Sequence, residues 1–164
     1  MPATKEQLLD RLRALGIDAM TREHPPVYTV EEARALRGDI PGGHCKNLFL
    51  KDKKGQLWLV VCLEDAVIDL KSLPDRIGAA RISFGKSELL QEVLGVEPGS
   101  VTPFALINDS DHAVNVVLDS RMMACDLVSY HPLQNTATTT LAPQDLLRFI
   151  ESCGHKAQVV QLYD

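Results

Sequence analysis

An α+β fold with a mixed, largely antiparallel sheet is what the sequence predicts, on three observations. Short runs of β-forming residues recur along the chain, helical periodicities are interleaved among them, and most strands are joined by hairpin-length turns. The regular strand–helix–strand alternation of a doubly wound sheet is missing. At 164 residues, with 45% hydrophobic and 24% charged, the chain suits one globular domain over 1–164. A domain of about 150 residues buries roughly 68–70% of its unfolded surface, enough for a sizeable core.

The elements follow in order. Thr4 and Gln7 have capping-box spacing, Leu8, Leu9, Leu12 and Leu15 recur at helical intervals, and Gly16 ends the run. A strand is expected through Ile17–His24, stopped by Pro25 and Pro26. Thr29 and Glu32 repeat the capping signature and predict a short helix over Val30–Leu36, followed by a Gly- and Pro-rich loop over Arg37–His44. Asn47–Lys51 and Gln56–Leu63 read as a hairpin around Asp52-Lys53-Lys54-Gly55. Asp69–Ile77 reads as a short helix interrupted near Pro74, Ile82–Phe84 as a strand, and Ser87–Leu94 as a helix closed by Gly95. Pro103–Ile107 and Val114–Leu118 are expected to pair across the turn Asn108–Asp111. Strands over Asp126–Tyr130 and Ala137–Leu141, a helix over Pro143–Cys153 and a strand over Gln158–Leu162 complete the chain.

Composition bounds the chemistry. A net charge of −5 excludes a strongly basic nucleic-acid module but leaves room for a local patch. Lys46, Lys51, Lys53 and Lys54 cluster with one acid, Asp52, and Arg76, Arg81 and Lys86 form a second basic segment. Each reads either as a solvated strand edge or as a phosphate-backbone contact. The four cysteines lack ligand spacing and read as reduced thiols, and the charged N-terminus is not a signal peptide, so a cytoplasmic setting is expected. No run approaches a membrane span. No phosphate-binding, dinucleotide, zinc-protease or nucleophile-elbow motif is present, and no metal or organic cofactor is indicated.

Cys45, between His44 and Lys46, reads either as an activated thiol or as a small packed residue, with packing preferred. Three loops read either as turn chemistry or as the walls of one pocket: Gly42–Asn47, Gly99–Pro103, and Ser129–Pro132 with Asn135 and Thr136.

The stretches GGHCKNLFLKDKKGQLWLVV, RISFGKSELLQEVLGVEPGSVTPFALIND, VVLDSRMM and SYHPLQNTATTTL, in this order, resemble the YbaK/ProX family of prolyl-tRNA-synthetase-associated editing domains. Within it the chain is most similar to free-standing alanyl-tRNA(Pro) deacylases. The resemblance implies a barrel-like mixed sheet flanked by helices, and hydrolysis of the ester between a wrong amino acid and the 3′ adenosine of tRNA. It assigns catalytic positions to Lys46, Asn47, Gly99 and His131. It assigns substrate contacts to Ser100, Val101, Thr102, Pro103, Ser129 and Asn135. Lys51 and Arg81 are the expected acceptor-stem contacts. The implied partners are the acceptor end of aminoacyl-tRNA(Pro) and a prolyl-tRNA synthetase, and the implied reaction uses neither cofactor nor protein nucleophile. Two other readings stay open at this stage: deacylation of another small residue such as cysteine or serine, and a tRNA- or synthetase-binding module without catalysis.

Overall fold

The computed structural model describes residues 2–26 and 43–164. Helix α1 (Lys5–Ala14) begins at the expected capping box, with Thr4 Oγ1 accepting from Gln7 N and Gln7 Oε1 accepting from Thr4 N. It buries Leu8 and Leu12. Strand β1 (Met20–Glu23) follows. The helix expected over Val30–Leu36, and most of the loop after it, lie outside the described residues.

Strands β2 (Gly43–Asp52) and β3 (Leu57–Leu63) form the expected hairpin, with β2 starting four residues earlier than the sequence indicated. Asp52 organises its turn: the carboxylate accepts from Lys54 N, Gln56 N, Ala80 N and Trp58 Nε1. Burial pushes the Asp52 carboxyl up, and these four donors outweigh it, holding it below the usual aspartate value. Helix α2 (Leu73–Ile77) starts at Leu73, so Pro74 sits in its first turn rather than interrupting a longer helix. Strand β4 (Ile82–Phe84) and helix α3 (Ser87–Leu94) follow as expected, α3 ending at Gly95 with φ +66°.

Pro103–Ile107 is not a strand. Thr102 Oγ1 accepts from Phe104 N, Pro103 opens a 3₁₀ helix through Asn108, and the apolar run points into the core. Strand β5 (Val114–Asp119) therefore pairs elsewhere, parallel to β3 and to β8 (Gln158–Val160). A short helix α4 (Ser120–Met123), unforeseen in the sequence, leads to β6 (Val128–Tyr130), β7 (Ala137–Leu141) and helix α5 (Pro143–Ser152).

The strands make one mixed sheet in the order β1-β7-β6-β2-β3-β5-β8, with β4 on β2. Four pairings are antiparallel and three parallel. Strand β3 is buried on both faces, which explains its unbroken apolar run. Leu57, Leu59 and Val61 join the larger core with α1, α3, α5 and the 3₁₀ segment, whereas Trp58, Val60 and Cys62 join a smaller one with α2 and Leu162. Asp109 ties the turn before β5 to the start of the C-terminal segment, accepting from Ala113 N, Val114 N and His155 Nε2, the last at 2.9 Å.

Candidate functional site

Strand β2 pairs with β3 along one edge for Cys45–Lys51, but its other edge is shared. There β6 holds only Gly43 and His44, and β4 holds only Leu50–Asp52. Between them Cys45–Phe49 has no partner strand among the described residues, and the edge is met instead by loops. The Phe49 carbonyl accepts from Gly85 N at 2.9 Å, and His44 O faces the other way, accepting from Glu64 N. By the alternation of an antiparallel ladder, the Asn47 backbone groups point into this gap.

Successive side chains leave β2 on opposite faces. Cys45 and Phe49 pack with the larger core and Leu48 and Leu50 with the smaller one, so Asn47 and Lys46 border the gap from opposite sides. Lys46 lies opposite Cys62 and donates from Nζ to the Ala66 carbonyl at 2.5 Å. Asn47 Oδ1 is closed to solvent and has no hydrogen-bond partner among the described residues. A buried acceptor left so costs about 1–3 kcal/mol until something pairs with it.

Beside the gap lies a cleft of about 190 Å³, lined by residues from both faces of β2, among them Asn47, Leu48, Phe49, Phe84, Pro98 and Val101. Its floor depends on Gly85, where a Cβ would stand 2.4 Å from Phe49 Cδ2. Gly99 lies beside Asn135, whose Nδ2 would be 3.7 Å from a Cβ there. The 98–103 loop thus reaches β2 through Val101 and the 131–136 loop through Gly99. Ser100, Thr102 and Pro103 are buried within the loop, and Thr102 serves as the cap of the 3₁₀ helix.

On the Lys46 side the sheet carries a polar strip. Ser129 is in register with His44 and with Thr140, and its Oγ lies 2.7 Å from Thr140 Oγ1. His131 Nδ1 donates to the Ala137 carbonyl at 2.9 Å, and its ring sits 6.4 Å from that of His24, which bonds Thr138 Oγ1 through Nε2. Burial lowers the His131 pKa, against the Ala137 bond, and the neighbouring His24 lowers it further. His24, Thr138 and Thr140 were not singled out in the sequence. The only signal was the TATTT run itself, which reads as plain strand.

Burial holds the two thiols on β2 and β3 in the protonated form. Burial pushes Cys45 up to about 12 and Cys62 up to about 11. Lys51 and Arg81 stand away from the gap, exposed at the far end of β2: Lys51 is opposite Ser83, and the Arg81 carbonyl accepts from Lys53 N at 2.9 Å. Among the described residues no three His, Cys, Asp or Glu side chains gather as metal ligands. No helix there is long and apolar enough to cross a membrane.

Residues 24–149 match the model of the aminoacyl-tRNA editing domain. The chain is 37% identical over 159 residues to the prolyl-tRNA editing protein ProX of Acetoanaerobium sticklandii, covering 96% of this chain and 97% of that one. It is 41% identical over 153 residues to prolyl-tRNA synthetase associated domain-containing protein 1 of Bos taurus, covering 90% and 89%. A solved structure described as a candidate trans-editing enzyme for prolyl-tRNA synthetase superposes with TM-score 0.75 at 20% identity, covering 100% of this chain and 99% of that one. A helix-flanked mixed sheet, split at β2 and matched to relatives along nearly its whole length, places the chain in the aminoacyl-tRNA editing family.

Proposed function

We propose that this protein is a trans-editing deacylase that hydrolyses alanine mischarged onto tRNA(Pro), sparing the prolyl ester by size. The observation that carries the reading is the gap in β2, bordered by Lys46, Asn47 and the Gly99–Pro103 loop, in a chain similar along 96% of its length to a prolyl-tRNA editing protein.

The chemistry asks little of the protein. The ester is already activated; water adds to its carbonyl carbon, the bond to the ribose oxygen breaks, and alanine leaves tRNA with a free hydroxyl. Protonated thiols at Cys45 and Cys62 favour water over an acyl-enzyme route. Orientation of the ester and donors toward the developing oxyanion then supply the rate. Lys46, held by Ala66, offers a fixed positive charge for a terminal phosphate or nucleotide. His131 and Ser129 form a wall against the amino acid, and Asn135 lies between that wall and the Gly99 loop. A synthetase that binds proline discriminates against the smaller alanine by only about 1–3 kcal/mol per missing methylene, which is the deficit a second sieve corrects. The partners are the acceptor end of tRNA(Pro) and a prolyl-tRNA synthetase, in the cytoplasm.

Single-turnover deacylation of Ala-, Cys-, Ser- and Pro-tRNA(Pro) tests this. The expected outcome is rapid loss of alanine, spared proline, and a drop of at least about 100-fold in Lys46→Ala. Faster hydrolysis of the cysteinyl or seryl ester reassigns the substrate, and a wild-type rate in Lys46→Ala removes the lysine from the site.

A further inference from the structure

Phe84 is 62% exposed, an unusual place for a large aromatic side chain in a protein whose other three phenylalanines are buried in the larger core. It is the last residue of β4 and is among the residues that line the 190 Å³ cleft beside the gap in β2. No Asp or Glu occurs from Arg76 to Ser87. Arg81 and Lys86 flank the strand in sequence, and Lys51 lies opposite Ser83 on β2; all three are exposed and make no ion pair with the described residues. The nearest acid in sequence is the exposed Glu88 in the first turn of α3. Asn47, whose carboxamide oxygen lacks a partner among the described residues, also borders this cleft, its side chain leaving β2 on the face opposite Leu50 and Phe84.

An exposed aromatic face with cations on the neighbouring strand and turns meets two requirements of a single-stranded nucleotide: stacking for the base and charge for the phosphate. A cleft of this size, below the usual 300–1,000 Å³ of small-molecule sites, suits one such group. We infer that Phe84 is a stacking platform for an unpaired base at the 3′ end of the RNA. This rests on the deacylase reading and adds a binding residue outside its sequence motifs. It also gives the cleft one occupant, the unpaired tail, with Lys51, Arg81 and Lys86 following the backbone that leads to it.

The test uses an uncharged acceptor hairpin ending in single-stranded CCA, with 2-aminopurine in place of the terminal adenine or, in a second probe, of the preceding base. Binding to the wild type is expected to quench one of the two probes. Phe84→Ala is expected to abolish that quench and weaken binding about 10-fold, with Phe84→Leu equally impaired and Phe84→Trp restoring both. Because Phe84 is exposed, all three variants are expected to melt as the wild type does, which a thermal scan checks. Unchanged quench and affinity in Phe84→Ala overturn the inference. So does full binding by Phe84→Leu, which would leave apolar contact without stacking, or a defect confined to association with a protein partner. If the wild type hydrolyses no aminoacyl-tRNA and yet shows a Phe84-dependent quench, the catalytic reading fails and the stacking site stands. Normal hydrolysis with a Phe84-independent quench gives the converse.

Discussion

His131 donates from Nδ1 to the Ala137 carbonyl, and a carbonyl oxygen only accepts, so the neutral ring carries its proton on Nδ1 and presents Nε2 as an acceptor. Burial keeps the ring neutral by lowering its pKa below the ordinary histidine value of about 6.5. An acceptor there suits the α-ammonium group of an aminoacyl ester. As pH falls through the lowered pKa, Nε2 gains a proton and repels that ammonium. The enzymatic deacylation rate, corrected for spontaneous hydrolysis, is therefore expected to hold through neutrality and fall with a midpoint below 6.5; His131→Asn should flatten that acid limb. The stability contribution has the same sign: the unfolded chain takes up the proton first, so stability declines as pH drops from about 6.5 toward the folded value. None of this was legible in the sequence, where His131 is one polar residue before a proline. Lys46 and Asn47 show the complementary failure. Adjacency suggested one shared pocket, but the pleat sends them to opposite faces, and only the gap between β6 and β4 lets one ligand meet both.

Gly85 governs how β4 hands over to α3. Its missing Cβ lets the Phe49 ring pass beneath the turn and form the cleft floor. Gly85→Ala is expected to cost about 1–3 kcal/mol in denaturant unfolding, as other overpacked sites do, and to weaken binding of the single-stranded tail. Combined with Phe49→Leu it should cost less than the sum of the two changes, since the clash is between those two residues. Elements with local signals were readable: the capping box of α1, Gly95 after α3, the lysine-rich turn between β2 and β3, and Pro143 at the start of α5. Elements fixed by distant partners were not. Phe104–Ile107 is an apolar run without periodicity, and only the full burial of Phe104, Ala105 and Leu106 and the Thr102 cap decide for a 3₁₀ helix. The parallel placement of β5 between β3 and β8 joins strands about 40–60 positions apart, which turn signals do not report.

Across the whole molecule, a net charge of −5 coexists with a concentrated basic edge. The β2–β4 pairing joins the two basic segments of the sequence, bringing Lys51 and Lys53 to Arg81. Arg76 is drawn off instead, donating to the Gln161 carbonyl and to Asp164 at the C-terminal end. Binding of the acceptor stem is thus expected to be salt-sensitive but shallow. Lys51→Ala and Arg81→Ala should each reduce the slope of log K against log salt by about one, measured by titration at several salt concentrations. A larger loss from Arg76→Ala would place the RNA on a different edge of the sheet.

The thiols beside the gap bear on how such a protein lasts. Peroxide and alkylating reagents attack the thiolate, a form that Cys45 and Cys62 hardly populate. The proposed water route also forms no acyl-enzyme for a covalent warhead to capture. Oxidative stress, which damages many thiol enzymes first, is therefore expected to spare these two thiols of β2 and β3.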